Sequence, residues 1–225
     1  MYKIISLGGS IIIPSTGFDI EFLKKFRALI MARVKQGDKF ILVVGGGGTC
    51  RQYQRTAKSV ADLSDKELDW LGIYTTWYNA EFVRLLFGDL AYKEVIKNPN
   101  KKIKTNKPIV VAGGWKTGCS TDYDAVLLAK AYGAEEMINA SNIDYVYTAD
   151  PKIDKTATAI KQMDWKQFRK IIGENWIPGA NLPFDPKAAK TAQKLSLRLI
   201  FVKGTDLQSL KASLTIGKVR GTIVQ

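Results

Sequence analysis

Short, continuous apolar runs alternate along this chain with longer segments in which apolar residues recur every three or four positions. The runs predict buried strands of a parallel sheet, because both faces of such strands are covered. They span residues 2–7, 39–44, 109–112, 136–139 and 198–202, with a predicted edge strand at 221–224. The periodic segments predict helices over 19–36, 66–87, 123–132 and 165–172, with others that start at Asp185-Pro186 and near Leu207. This alternation predicts an α/β fold, a three-layer α/β/α sandwich around a mainly parallel sheet.

Local signals mark the ends of several predicted elements. Asp19 is predicted as the N-cap of the first long helix and Gly37 as its C-cap. One of the polar residues at 120–122 is predicted to cap the helix that follows the third long strand. Residues 174–184, rich in Gly, Pro and Asn, are predicted as a loop.

The composition narrows the range of chemistry. The chain has 225 residues, of which 46% are hydrophobic, so it can form one large domain or two small ones. It has no long apolar run and no signal-peptide pattern, so we expect a cytoplasmic protein that does not span a membrane. It has no histidine, which excludes Ser-His-Asp and Cys-His nucleophiles and histidine zinc sites. Phosphoryl transfer is not excluded, because it depends on positioning and charge neutralisation.

The charge of the chain points to anionic ligands. The formal net charge is +13, which suits either nucleic acid or small molecules that carry phosphate. The lysines are spread along the chain apart from a cluster at 101–107, and there is no arginine-rich arm. Nucleic-acid binding is therefore not expected as the main role.

Three glycine-rich turns follow predicted strands. They are Gly8-Gly9-Ser10, Gly45-Gly46-Gly47-Gly48 and Gly113-Gly114. In an open α/β sheet, ligands bind beyond the carboxyl ends of the strands, and glycine lets backbone amides approach phosphate oxygens closely. Neither the Walker spacing nor a Gly-x-Gly-x-x-Gly fingerprint is present. Three such turns on parallel strands predict a polyphosphate site of another kind.

Two further features fit a nucleotide site. The segment 142–151 packs two acids, two tyrosines and an Asp-Pro turn into ten residues directly after a predicted strand. Aromatic faces can hold a base there, while acids can organise Mg²⁺ and ribose. Arg51 follows the second glycine turn and could hold a phosphate with both arms, or could simply be exposed. Asp69 could accept both hydroxyls of a ribose, or could be a surface acid.

Taken together, these motifs resemble the amino acid kinase fold family, and within it the UMP kinases, especially their shorter archaeal-type form. The resemblance covers almost the whole chain, and its most specific part is the string Asn-x-Asp-x-Val-Tyr-x-x-Asp-Pro at 142–151. The other matching motifs are Leu7-Gly8-Gly9-Ser10, Val43-Val44-Gly45-Gly46-Gly47 with Arg51, Asp69-x-x-Gly72-Ile73, Asn79-Ala80, Gly113-Gly114, Ser120-Thr121-Asp122 and Asp185-Pro186-x-Ala188-Ala189-Lys190. The resemblance implies transfer of the ATP γ-phosphoryl group to UMP.

The resemblance also implies a place for each ligand. The residues implied to bind UMP are Gly45, Gly46, Gly47, Arg51, Asp69, Gly114, Ser120 and Thr121. Those implied to bind ATP are Gly8, Gly9, Ser10, Asn142, Asp144, Tyr147, Asp150 and Pro151. Mg²⁺ would arrive with ATP near Asp144, without a fixed protein site. In a single domain over 1–225, residues 1–133 would form the UMP half and 134–225 the ATP half.

The catalytic residues implied by the resemblance are Asp144, Ser10 and a lysine. Many relatives carry a lysine on the first strand, at the position that Ser6 holds here. Lys190 is predicted to supply the missing cation, and the alternatives are Lys187 and Lys116.

Other readings stay open at this point. Trp77 stands where archaeal-type relatives often have arginine. Asp124 stands where small residues are usual, and it could orient a lysine, help with Mg²⁺ or signal a changed acceptor. One alternative is therefore another small-molecule kinase of the same fold. A second is a nucleotide-binding or anion-binding protein without catalysis, which the serine at position 6 keeps open. The resemblance further implies self-association, commonly as a homohexamer.

Overall fold

A computed structural model describes residues 1–174, 182–215 and 217–225. The strands of these residues are β1 (Tyr2–Leu7), β2 (Lys39–Val44), β3 (Ile109–Ala112), β4 (Glu136–Ser141), β5 (Val146–Tyr147), β6 (Ala159–Ile160), β7 (Gln162–Met163), β8 (Arg198–Lys203) and β9 (Gly221–Val224). The helices are α1 (Gly9–Ile12), α2 (Ile20–Lys35), α3 (Gly47–Val60), α4 (Asp65–Phe87), α5 (Thr121–Tyr132), α6 (Trp165–Ile172), α7 (Pro186–Lys194) and α8 (Leu207–Ser213), with a 3-10 turn at Gly88–Leu90.

The main sheet has the strand order β3-β2-β1-β4-β8-β9-β7. Its first five strands run parallel, whereas β9 is antiparallel to β8. Strands β1 and β2 pair in register from Tyr2 with Lys39 to Leu7 with Val44, so they end together. This common edge collects the loops that begin at Gly8 and Gly45, and the predicted mainly parallel sheet is confirmed.

Helices cover both faces of the sheet, as predicted. One buried cluster joins the sheet to α5, α6 and α7 through residues such as Phe168 and Phe201. The other joins it to α2, α4 and α8 through residues such as Phe26 and Leu42. The central strands are buried on both sides, which is why they appear in the sequence as continuous apolar runs.

The helix ends follow the predicted signals, with small corrections. The side chain of Asp19 accepts a hydrogen bond from the Phe22 amide at 2.9 Å, as expected of an N-cap. Helix α2 ends one residue earlier than predicted, and Gly37 follows its C-cap with a φ of +96°, a conformation that favours glycine. Ser120 is the cap that begins α5, through a 3.1 Å bond from the Tyr123 amide.

Other parts of the fold differ from the sequence-based expectation. The turn predicted at Gly8-Gly9-Ser10 continues into the short helix α1. Strand β9 lies between β8 and β7, so it is not the edge strand. The hairpin of β5 and β6 was not predicted, because strands of two residues carry too little pattern. Most of the loop predicted at 174–184 lies outside the described residues.

No helix in the described ranges is long and apolar enough to cross a membrane.

Candidate active site

The first two glycine loops pack against each other, backbone to backbone. A Cβ atom on Gly9 would overlap the amide of Gly47 and would lie 2.5 Å from the carbonyl oxygen of Gly45. Gly47 itself has a φ of +66°, which an L side chain rarely adopts. Only glycine allows this contact, so the loops after β1 and β2 form one continuous surface of backbone groups.

Arg51 connects these two loops. It lies one turn into α3, which begins at Gly47, rather than in the first turn as predicted. Its Nη2 atom donates to the hydroxyl oxygen of Ser10 at 3.4 Å, while most of the side chain is exposed. A residue predicted for UMP therefore contacts one predicted for ATP.

Asn79 on α4 holds the second glycine loop through its side-chain amide. Its Nδ2 atom donates to the carbonyl oxygens of Gly45 at 3.0 Å and Gly46 at 2.8 Å. The side chain is fully buried on α4. Asn79 belongs to one of the matching sequence motifs, but no role was predicted for it. An amide side chain on the apolar face of a predicted helix was a signal that it has such a role.

Helix α4 also fixes the third glycine loop. The Thr76 hydroxyl accepts from the Gly114 amide at 2.7 Å, and the Trp77 indole donates to the Gly114 carbonyl at 2.6 Å. Asp69 accepts from the Gly118 amide at 2.7 Å through Oδ2. Asp69 thus lies beside the loop predicted to read uracil, with one carboxylate oxygen already engaged.

Ser120 is used by the protein itself. Its hydroxyl accepts from the Tyr123 amide and donates to Asp185. Asp185 in turn caps α7 by accepting from the Lys187 amide at 2.7 Å. The side chain of Ser120 therefore links the N-termini of two helices. The predicted contact of Ser120 with UMP would then involve its backbone.

Asp122 is a functional candidate for which the sequence supplied a motif but no role. One of its carboxylate oxygens accepts from the Ser6 hydroxyl at 2.8 Å and from the Asn139 amide at 2.9 Å. Burial raises the pKa of Asp122 to about 7, with a contribution from the nearby carboxylate of Asp185, although the two hydrogen bonds oppose the shift. Within the described residues Asp122 forms no salt bridge.

Asp124 lies behind the third loop and is fully buried. Its Oδ2 atom accepts from the Trp115 amide at 3.0 Å, and its Oδ1 atom has no hydrogen-bond partner among the described residues. Burial raises the pKa of Asp124 to about 7, and the carboxylates of Asp185 and Asp122 add to the shift. Asp124 therefore positions the backbone of the third loop.

A cavity of about 550 Å³ opens beside these residues. Several residues predicted to bind ATP line it: Gly8, Asn142, Asp144, Tyr147, Asp150 and Pro151. Ser6, Asp122, Asn139 and Thr121 also line it, so Thr121 faces the cavity on the ATP side rather than only the acceptor loop. Gly9 and Ser10 lie outside the lining, at the junction with the second loop.

The acids of the segment after β4 are partly occupied. Asp144 accepts through Oδ1 from the Tyr145 amide and from the Tyr147 hydroxyl, both at 3.0 Å. Asp150 accepts from the Lys152 amide at 2.9 Å, as an Asp-Pro turn predicts. These bonds shape the loop and leave one oxygen of Asp144 open.

The structure separates the candidate lysines. Lys187 approaches the third loop, with Nζ 3.4 Å from the Gly118 carbonyl oxygen and 4.6 Å from the centre of the Tyr123 ring. Lys190 is exposed and makes no hydrogen bond or salt bridge with other described residues. Lys116 lies over the ring of Trp115 at 4.0 Å. The contacts therefore favour Lys187 over Lys190, because Lys187 touches the third loop. Lys116 belongs to that loop, but its ammonium group lies over Trp115.

Comparison with known proteins places the chain in a defined group. The sequence model of the Amino acid kinase family matches residues 1–203. A uridylate kinase of Methanospirillum hungatei is 33% identical over 225 residues, which cover 98% of this chain and 93% of the relative. A uridylate kinase of Hyperthermus butylicus is 30% identical over 204 residues, 90% of this chain and 89% of the relative.

Solved structures agree with the sequence relatives. The crystal structure of uridylate kinase from Archaeoglobus fulgidus superposes with a TM-score of 0.86 at 30% identity, and the match covers both chains completely. The structure of UMP kinase from Bacillus anthracis superposes with a TM-score of 0.77 at 20% identity, over 100% of this chain and 95% of the other. This second likeness concerns the fold alone.

Proposed function

This chain belongs to the amino acid kinase family, and on that premise we propose that it transfers the γ-phosphoryl group of ATP to UMP, giving UDP and ADP. The observation that carries the proposal is the packing of the loop after β1 against the loop after β2, with Arg51 reaching Ser10. A donor phosphate on the first loop and an acceptor phosphate on the second would meet at this contact. The uridylate kinase relatives support UMP as the acceptor.

ATP would occupy the 550 Å³ cavity beside β5, a volume typical of small-molecule sites. Its base and ribose would lie along Asn142, Tyr147 and Pro151, beside apolar residues of the same lining such as Val146 and Ile171. Its phosphates would run past Gly8 toward Ser10. The glycine backbone there can approach phosphate oxygens without a side chain between them.

UMP would lie between the second and third loops. Its phosphate would contact the amides after Gly45 and the guanidinium of Arg51, which can donate two parallel hydrogen bonds. The Oδ1 atom of Asp69 would accept from a ribose hydroxyl, since Oδ2 holds the Gly118 amide. The backbone from Gly114 to Thr121 would then contact uracil.

The reaction needs positioning more than proton transfer. A phosphate oxygen of UMP would attack the γ-phosphorus of ATP in line, and ADP would leave. Because the attacking oxygen is already anionic, no general base is required. The residues must hold two polyanions together and offset their charge, which Arg51, the loop amides and the ammonium group of Lys187 would do.

Transfer in such kinases generally uses a divalent cation, and we propose Mg²⁺ bound with ATP. The donor set fits a hard cation, because Asp122 lines the cavity and two buried oxygen atoms near it, Asn139 Oδ1 and Ser141 Oγ, have no partner among the described residues. When bound, Mg²⁺ would offset the charge of the transferring phosphoryl group. Ser6 leaves the carboxylate of Asp122 without the lysine that many relatives carry.

We also infer self-association of this chain, for which a homohexamer is the expectation from the family. Apolar side chains are exposed along one face of α4 and on the segment beside it, and such patches mark interfaces with a second copy. They are Tyr74, Tyr78, Leu85, Phe18 and Ile20. Size-exclusion chromatography with light scattering tests this, since Tyr78→Ser should lower the mass of the assembly.

Two other expectations stay predictions. The first is the approximate division into a UMP half over 1–133 and an ATP half over 134–225. The loop from Gly8 to Ser10 and Thr121 depart from it, because they belong to residues 1–133 and are proposed to contact ATP or line its cavity. The second prediction is that the protein is located in the cytoplasm.

The experiment that tests the function is phosphoryl transfer from Mg-ATP to a panel of acceptors. The panel comprises UMP, CMP, AMP, isopentenyl phosphate, aspartate, glutamate and carbamate. We expect fast and selective formation of UDP. Turnover of a different acceptor would identify another kinase of this fold, and nucleotide binding without any turnover would identify a binding protein.

A further inference from the structure

A second cavity lies at the opposite edge of the sheet, where β1, β4 and β8 begin. Its volume is about 580 Å³, similar to that of the cavity proposed for ATP. Its walls come from the starts of these strands, from the ends of the segment between α8 and β9, and from Lys161 and Gln162. None of the residues assigned above to ATP or UMP lines it, so it is separate from the candidate active site.

A row of charged side chains crosses the mouth of this cavity. Glu136 on β4 pairs in register with Arg198 on β8. On the other side of β4, Ile4 of β1 pairs with Met137, which places Lys3 level with Glu136. Side chains in register on adjacent strands point to the same face. Arg198 donates to Glu136 at 2.9 Å, and Lys3 donates to the Leu214 carbonyl at 2.6 Å.

The cavity carries an excess of positive charge. Four basic side chains line it, together with the acid Glu136. Arg198 is paired with Glu136 and Lys3 with Asp38, at 3.6 Å, so the excess charge rests on Lys161 and Lys218. Lys161 and Lys218 are exposed and form no salt bridge with other described residues. A concave site lined by one sign of charge concentrates ligands of the opposite sign.

Four apolar side chains also line the wall, beside the polar residues Gln162, Ser213 and Thr215. The apolar residues are Ile200, Leu214, Val219 and Ile223. The combination of unpaired ammonium groups at the mouth and an apolar wall behind them suits an anion with a less polar part. Bare surface lysines would have no such wall.

We propose that this cavity binds a small molecule that carries a polyphosphate group, with the phosphates on Lys161 and Lys218. Arg198 contributes to the same site once its contact with Glu136 loosens. The site does not depend on the reaction at the other edge of the sheet.

Calorimetry can test this site with the phosphate group alone. The magnesium complex of inorganic tripolyphosphate is titrated into full-length protein that is already saturated with UMP, so that tripolyphosphate can bind at the candidate ATP site and at the second cavity. We expect two tripolyphosphates per chain. A single tripolyphosphate per chain that an ATP analogue added at one equivalent displaces completely, or no binding at all, overturns the proposal.

Paired variants show where the anion binds. Lys161→Ala with Lys218→Ala should weaken tripolyphosphate binding by roughly tenfold or more, because two charge-assisted contacts are lost. The matched control, Lys24→Ala with Lys25→Ala on α2, removes the same charge far from the cavity and should bind as the wild type does. Equal weakening in both pairs means a diffuse charge effect and overturns the site.

One further variant should gain affinity. Glu136→Gln removes the only acid of the lining and frees Arg198, so tripolyphosphate should bind several-fold more tightly; weaker binding contradicts the assignment. UDP formation measured on the same variants separates this proposal from the proposed function. In the absence of tripolyphosphate, all of these variants should convert UMP at the wild-type rate. A wild-type protein without turnover would contradict the proposed function but not the proposed second site.

Discussion

Trp77 donates its indole N–H to the carbonyl oxygen of Gly114 at 2.6 Å and thereby ties the third glycine loop to α4. The resemblance implied that this position often holds arginine in archaeal-type relatives. The indole of Trp77 instead forms a hydrogen bond with the protein backbone. The loop that would contact uracil is thus fixed by a neutral hydrogen bond.

Trp77→Phe should raise the KM for UMP by roughly fivefold and leave the KM for ATP nearly unchanged. A smaller aromatic ring replaces the indole, and one hydrogen bond worth about 1 kcal/mol is lost. Trp165→Phe is the matched control, because its indole also donates to a backbone carbonyl, that of Leu197 at 3.1 Å, but far from the loops. It should cost similar stability without a change in either KM; a similar rise in the control would mean that Trp77 acts only through stability.

Arg51→Ala should raise the KM for UMP by about a hundredfold and that for ATP only slightly, since a charged bidentate contact contributes roughly 2–3 kcal/mol. Arg51→Lys should recover little of this, because an ammonium group cannot donate as a fork. Arg55→Ala, one turn further along α3, serves as the control for lost charge. Equal increases in both KM values would remove Arg51 from the acceptor site.

Asn79→Asp should destabilise the protein by roughly 2–4 kcal/mol in denaturant unfolding. The substitution replaces an amide donor by an oxygen that faces the carbonyls of Gly45 and Gly46, so a buried polar contact becomes repulsive. The exposed Asn100→Asp should change stability by less than about 0.5 kcal/mol. A stable Asn79→Asp protein with normal UMP kinetics contradicts the role of Asn79 in holding the loop.

The strands were predictable because they are buried on both faces, and burial of that kind leaves an apolar run without alternation. The same logic failed at α1, whose first residue is a glycine that no propensity assigns to a helix; it is shaped by the contact of Gly9 with the loop after β2.

The choice of lysine shows a second limit. Lys187 and Lys190 lie three residues apart on one helix, so spacing could not distinguish them. Only the tertiary contact between Lys187 and the Gly118 carbonyl does so. The environment of Asp122 could not be predicted from the sequence either, because its hydrogen-bond partners Ser6 and Asn139 lie on two different strands.

Asp124 should make the protein less stable as pH rises toward neutrality. Its folded pKa of about 7 lies above the value of about 3.9 for an unfolded chain. Between these values the native state keeps a proton that the unfolded state has released, so the free energy of unfolding falls as pH rises from about 4 to about 7.

Asp124→Asn should remove this loss. Without Mg²⁺ or nucleotide, its free energy of unfolding at pH 8 should exceed that of the wild type by roughly 2–4 kcal/mol, and the two should be close at pH 4. Urea unfolding at several pH values measures this. The exposed Asp62→Asn should follow the wild-type curve, and a constant difference between Asp124→Asn and the wild type at all pH values would contradict the raised pKa.

Asp122 and Asp144 make competing predictions about Mg²⁺. The resemblance implied that Mg²⁺ arrives with ATP near Asp144, without a fixed protein site. The carboxylate of Asp144 is exposed and accepts two hydrogen bonds through one oxygen. Asp122 also accepts two hydrogen bonds through one oxygen, but it lies beside buried oxygen atoms without partners and forms no salt bridge with other described residues. A bound divalent cation would favour its charged form, which burial disfavours. Asp122→Asn should therefore weaken Mn²⁺ binding in the presence of a nonhydrolysable ATP analogue by at least about tenfold, measured by electron paramagnetic resonance. Asp144→Asn should weaken it by less than about threefold, as a lost outer contact would. A larger effect of Asp144→Asn would return the cation to the loop after β4.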